Sequence, residues 1–179
     1  MKIVIGIDVG ISTTKIIGIN EEGRVLSPIR IRATDPVTSL YGAFGKYLYD
    51  NKIQLDDVEK VMLTGVGAAY IDKAVYGLPT GKSEEFIANG LGARYETDQK
   101  RMMVVSMGTG TSIVKCDQDS IMHVGGIGIG GGTLQGLSRL LLNTDDIKQV
   151  AALAEHGDLS HINVLISDIS LNPLPGLPM

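Results

Sequence analysis

Apolar and polar positions along this chain switch repeatedly between the period of a strand and that of a helix. Ile3, Val4, Ile5, Gly6 and Ile7 form an almost wholly apolar, β-branched run, as a buried strand requires, and it stops at Asp8-Val9-Gly10. Thr13 to Gly18 resumes the apolar pattern, Asn20 to Gly23 has turn composition, and Arg24 to Ala33 alternates as a third strand. Leu40, Ala43, Phe44, Tyr47 and Leu48 then fall at helical spacing within Val37–Asn51, with Asp35-Pro36 as the start signal. Val58 to Leu63 predicts a strand ending in Thr64-Gly65-Val66-Gly67. Glu84 to Tyr95 predicts a helix, with Ser83 as its cap.

From Arg101 the order begins again. A strand to Ser106, a turn at Gly108-Thr109-Gly110, a strand through Cys116, a turn at Asp117-Gln118-Asp119 and a strand to Val124 lead into the glycine-dense Gly125–Gly132. Helices are expected over Thr133–Leu142 and Asp145–Glu155, the second with acids in its first turn and His156-Gly157-Asp158 at its end. The pattern is βββαβα followed by βββα, a duplication with a period of roughly 100 residues, too long for a solenoid and natural for two similar lobes. The division predicted is a first lobe over residues 1–98 and the opening part of a second over 99–179. Three prolines in the closing Asn172–Met179 predict a loop leading onward.

Composition narrows the function. Glycine contributes 23 of the 179 residues, well above the usual ~7%. A formal charge of -4 with no basic run argues against a nucleic-acid surface. Cys116 is the one cysteine, which excludes an intrachain disulfide or a four-cysteine zinc site and suits a reducing compartment. No apolar stretch approaches the ~20 residues of a membrane span, and the first one, ending at Asp8, is no signal peptide, so a cytoplasmic protein without a membrane partner is expected.

The glycine excess falls in three clusters. In Asp8-Val9-Gly10-Ile11-Ser12-Thr13-Thr14-Lys15, an acid at a strand end precedes a glycine turn with three hydroxyls and a lysine. That set suits a Mg²⁺-bound phosphate, with Asp8 on the ion or its waters, although a polar hairpin with Asp8 satisfying turn N–H groups has the same composition. Ser106-Met107-Gly108-Thr109-Gly110-Thr111-Ser112 repeats the chemistry at the equivalent place of the second repeat. The pairing counts for more than either hairpin, since a Gly-Thr-Gly turn alone is an ordinary connection. The third cluster runs from Val124 to Leu137, holds seven glycines and opens a helix, which lets a backbone approach an anion closely. No lysine follows in the Walker manner, and no Rossmann unit surrounds it.

These three clusters resemble the type II pantothenate kinases, members of the superfamily of acetate and sugar kinases, heat-shock chaperone ATPases and actin. The glycine spelling of Val124–Leu137 is the most specific part, and Ala154-Glu155-His156-Gly157-Asp158 is also similar. The resemblance implies an α/β fold of duplicated ribonuclease H-like lobes, the second incomplete here because family members continue well beyond residue 179. It implies ATP-dependent phosphorylation of the primary hydroxyl of pantothenate, with Mg²⁺, and a homodimer, which no heptad in this sequence marks.

Carried over by residue, Asp8, Val9, Gly10, Ile11, Ser12, Thr13, Thr14 and Lys15 form the first phosphate hairpin, and Thr109 belongs to the second. Gly131, Gly132, Thr133, Leu134 and Gln135 lie against the nucleotide. The family's catalytic carboxylate stands in a Glu-Phe pair, here Glu85-Phe86, beside Glu84 as the neighbouring acid. One position departs: where the family has an arginine for pantothenate, this chain has His123, which cannot clamp a carboxylate bidentately. Two other classes compete with the kinase: a partner-activating ATPase like the 2-hydroxyacyl-CoA dehydratase activators, which the lone cysteine disfavours, and an inactive nucleotide-binding chain. A 179-residue chain with only part of its second lobe is expected to be at best weakly active alone.

Overall fold

The computed structural model describes residues 2–32 and 35–170, so the closing prolines lie outside the described residues. The chain forms two compact units, Met1–Gly130 and Gly131–Met179.

The first unit holds two sheets. Five strands, β1 (Ile3–Val9), β2 (Thr13–Asn20), β3 (Ile29–Arg32), β4 (Val58–Thr64) and β5 (Thr80–Lys82), pair in the order β3-β2-β1-β4-β5. The β1-β2-β3 meander is antiparallel, whereas β4 and β5 run parallel to β1. Strand alternation turns Ile3, Ile5, Ile7 and Val9 of β1 inward. Helix α1 (Pro36–Asn51) covers that face with Leu40, Ala43, Phe44 and Tyr47, all fully buried. Asp35 caps the helix by accepting from the Thr38 N–H at 2.7 Å, Pro36 occupies the first turn, and Lys52 in the left-handed region ends it.

The β-branched run and the helical spacing are thus realised as the sequence requires, with differences at edges. The third strand is only Ile29–Arg32, since Val25 contributes an isolated bridge to Ile19 and Ala33 lies outside the described residues. Strand β5 carries no hydrophobic run, Thr80-Gly81-Lys82, and is held by pairing to β4.

The second sheet is the antiparallel meander β6 (Met102–Met107), β7 (Thr111–Cys116) and β8 (Ile121–Ile127). Helix α2 (Glu85–Thr97) packs on it, with Gly90 so close to Ile121 that a Cβ there would stand 2.6 Å from its methyl. Ser83 is not the cap of α2: the cap position is Glu84, and the Ser83 hydroxyl turns to the Glu84 carbonyl. Strand β8 also runs past Val124, because Gly125 and Gly126 pair with Ile113 and Ser112 instead of forming a loop.

The second unit contains α3 (Gly131–Leu142), α4 (Ile147–Glu155) and α5 (Ile166–Ile169). Asp146 caps α4 by accepting from the Lys148 and Gln149 N–H groups, so the acid stands before the first turn and not within it; His156 ends the helix. No helix among the described residues is long and apolar enough to cross a membrane.

Candidate functional site

Both hairpins open onto one cleft of about 390 Å³ within the first unit. The first hairpin is closed by the Gly10 N–H donating to the Thr13 carbonyl at 3.1 Å, and the second by the Gly108 N–H donating to the Gly110 carbonyl at 2.8 Å. Asp8, Gly10, Ile11, Ser12, Thr13 and Lys15 line the cleft from one side, and Ser106 to Ser112 line it from the other. Strand alternation sorts the first cluster. Odd positions of β1 face the core, so Asp8 faces away from α1 and meets its cross-strand neighbour Lys15, whose Nζ donates to Oδ2 at 2.7 Å. Val9 and Thr14 carry fully buried side chains and do not line the cleft.

Asp8 is fixed from behind as well. Gly65, at φ 85°, follows β4, and a Cβ at this position would stand 2.4 Å from Asp8 Oδ1 and 2.7 Å from the Val9 carbonyl. Only glycine fits such a contact in that backbone region. In sequence Gly65 marks only the end of a strand; its place behind the carboxylate comes from the β1–β4 pairing, in which Asp8 stands opposite Thr64.

The third glycine cluster has a local structural task. A Cβ on Gly130 would lie 2.7 Å from the Gly108 carbonyl oxygen and 2.8 Å from that of Gly110, and the Thr111 hydroxyl donates to the Ile129 carbonyl at 2.7 Å. The stretch leaving β8 therefore buttresses the second hairpin, including the turn residue Thr109. Gly131, Gly132, Thr133, Leu134 and Gln135 form the start of α3 in the second unit.

Glu85 is the first residue of α2 and lines the cleft; its neighbour Glu84 does not. The next side chain, Phe86, sets its ring against His123 of β8 with centroids 5.9 Å apart. His123 is exposed and lies outside the cleft lining. At its other end α2 meets the connection between β2 and β3, where the Tyr95 hydroxyl donates to the Gly23 carbonyl. Arg30 of β3 also lines the cleft, a residue that the strand pattern of Ile29–Arg32 gave no reason to single out.

The donor set fits Mg²⁺ and phosphate. Among the described residues no group of three or more His, Cys, Asp or Glu side chains could cage a metal ion. Magnesium is ordinarily held by one or two carboxylates together with phosphates and water, a role that Asp8 beside two glycine hairpins would fit.

Two sheets, each presenting a glycine hairpin to the same cleft, define the actin-like ATPase fold. The solved structures that the chain resembles share it: the activator of 2-hydroxyisocaproyl-CoA dehydratase from Clostridium difficile with bound ADPNP superposes with a TM-score of 0.71 at 14% identity, over 87% of this chain and 57% of the activator. Component A of (R)-2-hydroxyglutaryl-CoA dehydratase from Acidaminococcus fermentans gives 0.69 at 16% identity, over 88% and 60%. The sequence carries the assignment further. The family model described as Fumble matches residues 92–173. Type II pantothenate kinases of Staphylococcus aureus, strains bovine RF122 / ET3-1 and USA300, are 31% identical over 97% of this chain and 62% of their own length. In sequence the chain is similar to the type II pantothenate kinases, and it spans 62% of the length of these curated relatives.

Proposed function

We propose that this chain carries the phosphate-binding and acceptor-activating parts of a kinase that phosphorylates the primary hydroxyl of pantothenate with ATP. In this reading residues 1–98 are the first lobe, with the phosphate hairpin and the catalytic helix, and residues 99–179 are the opening part of the second. The observation that carries it is the convergence of both hairpins, Asp8, Lys15 and Glu85 on one cleft, together with the 31% identity to pantothenate kinases.

Phosphoryl transfer asks a protein mainly for positioning, charge neutralisation and one proton acceptor. Backbone N–H groups and hydroxyls of the two hairpins hold phosphate oxygens, and Lys15 places its ammonium beside them while Asp8 orients it. Mg²⁺, when bound at Asp8, screens the charge on the phosphates. Glu85 takes the proton of the attacking hydroxyl; the helix start sets its carboxylate at the cleft wall, where an acceptor can reach it. His123, outside the cleft lining but set against Phe86 beside Glu85, would reach only the part of an acceptor that extends past the cleft, as a single hydrogen-bond donor and not as a fork.

Coupled assay of ADP release with and without pantothenate tests this reading. Pantothenate-dependent release that disappears in Glu85→Gln is expected. Release that ignores pantothenate would instead favour a partner-activating ATPase, and nucleotide binding without any release would favour a binding chain.

A further inference from the structure

The cleft contains a second cation that the reading above does not use. Asp8, Lys15 and Arg30 stand in one row across the sheet, because Asp8 is the register partner of Lys15 and Lys15 that of Arg30. Adjacent strands lie about 4.8 Å apart, so Arg30 starts two strand spacings from Asp8 and one from Lys15, on the same side of the sheet. The charge of Lys15 is already engaged, since its ammonium is bonded to Asp8 at 2.7 Å. Arg30 differs: it is exposed, it lines the cleft, and it enters no ion pair among the described residues. The four charged groups of the lining, Asp8, Glu85, Lys15 and Arg30, sum to zero. Of the two cations, only the guanidinium has no carboxylate of its own.

We infer that Arg30 is an anion-binding residue of this cleft, closing its planar fork on a phosphate or carboxylate group of the bound ligand. A guanidinium presents paired N–H donors that match two oxygens of either group, and being unpaired it gives up no ion pair to do so. The inference rests on the phosphate-site reading of the hairpins, and it adds a specificity residue from an edge strand that belongs to neither hairpin.

Two probes separate the sources of the anion: tripolyphosphate with Mg²⁺, and pantothenate, each titrated calorimetrically into the full chain. Arg30→Gln is expected to weaken one of them about tenfold or more, Arg30→Lys to recover part of the loss, and the control Arg24→Gln, away from the cleft, to change neither. A loss confined to tripolyphosphate assigns Arg30 to the phosphate chain, and a loss confined to pantothenate assigns it to the acceptor. If both probes bind Arg30→Gln within twofold of wild type, the inference is overturned while the kinase reading stands. Should the wild-type chain bind tripolyphosphate but not pantothenate, the pantothenate assignment falls, and Arg30 is judged on tripolyphosphate alone. A wild-type chain that binds neither overturns both.

Discussion

Replacing Gly65 by alanine tests whether the Asp8 carboxylate is held in place from behind. The residue sits at φ 85°, ψ 160°, a region essentially reserved for glycine, and an added Cβ would stand 2.4 Å from Asp8 Oδ1 and 2.7 Å from the Val9 carbonyl oxygen. The backbone term alone costs about 1–3 kcal/mol. A shift of the Asp8 side chain can relieve only the contact with its Oδ1; the Val9 carbonyl is backbone of the buried strand β1 and does not yield. A total near 3 kcal/mol is expected, roughly 6–12 °C in unfolding temperature for a chain of this size. Binding should fall further than stability suggests, since relieving the contact moves the carboxylate that faces the phosphates. Gly92→Ala is the control: nothing lies within 4 Å of its Cβ in the interior of α2, so it should raise stability by up to about 1 kcal/mol. Urea unfolding followed by circular dichroism, with calorimetric titration of ADP and Mg²⁺, reads both effects. Wild-type midpoint and wild-type affinity in Gly65→Ala would refute the reasoning.

Three further outcomes are expected. Glu85→Gln should abolish acceptor-dependent turnover while leaving ADP affinity within about twofold, and Glu84→Gln, outside the cleft lining, should leave turnover intact; parallel kinetics and titrations decide it. Phe44→Ala empties a fully buried site stacked on Tyr76 at 5.5 Å and should cost about 3–5 kcal/mol, measured by urea unfolding. Hydrogen bonds from the Thr38 side chain and then its backbone N–H hold the Asp35 carboxyl below its ordinary value of 3.8. The capping contribution is therefore full above that value and lost as pH falls through the lower folded-state value. Asp35→Asn should remove this acid-side loss from a series of unfolding curves.

Much of the fold could be read in the sequence because its signals are local. The Ile3–Ile7 run, the spacing of Leu40 to Leu48 and the Asp35-Pro36 start each act within a few residues, and the structure realises them. Strand β5 was illegible because Thr80-Gly81-Lys82 has no apolar pattern; its partner β4 makes it a strand. The same distinction runs through the site. The hairpins announce themselves by glycine and hydroxyl composition, whereas Gly65 and Arg30 reach the cleft only through strand register, which no single segment encodes. Strand alternation also explains why Val9 and Thr14, inside a cluster read as one unit, turn into the core. The glycines before α3 have a double reading that sequence could not separate. Gly126 and Gly130 answer to close contact with the second hairpin, a packing demand with the same composition as an anion cradle.

The proposed role of the cleft is to transfer a phosphoryl group from ATP to an alcohol with Glu85 as the proton acceptor. Mass spectrometry of pantothenate incubated with ATP, Mg²⁺ and stoichiometric protein tests it most directly, because single-turnover amounts of product register even from a slow chain. Pantothenate is expected to gain one phosphoryl group at its primary hydroxyl with wild type and none with Glu85→Gln. Unmodified pantothenate alongside steady ADP formation, or equal product from Glu85→Gln, would contradict it.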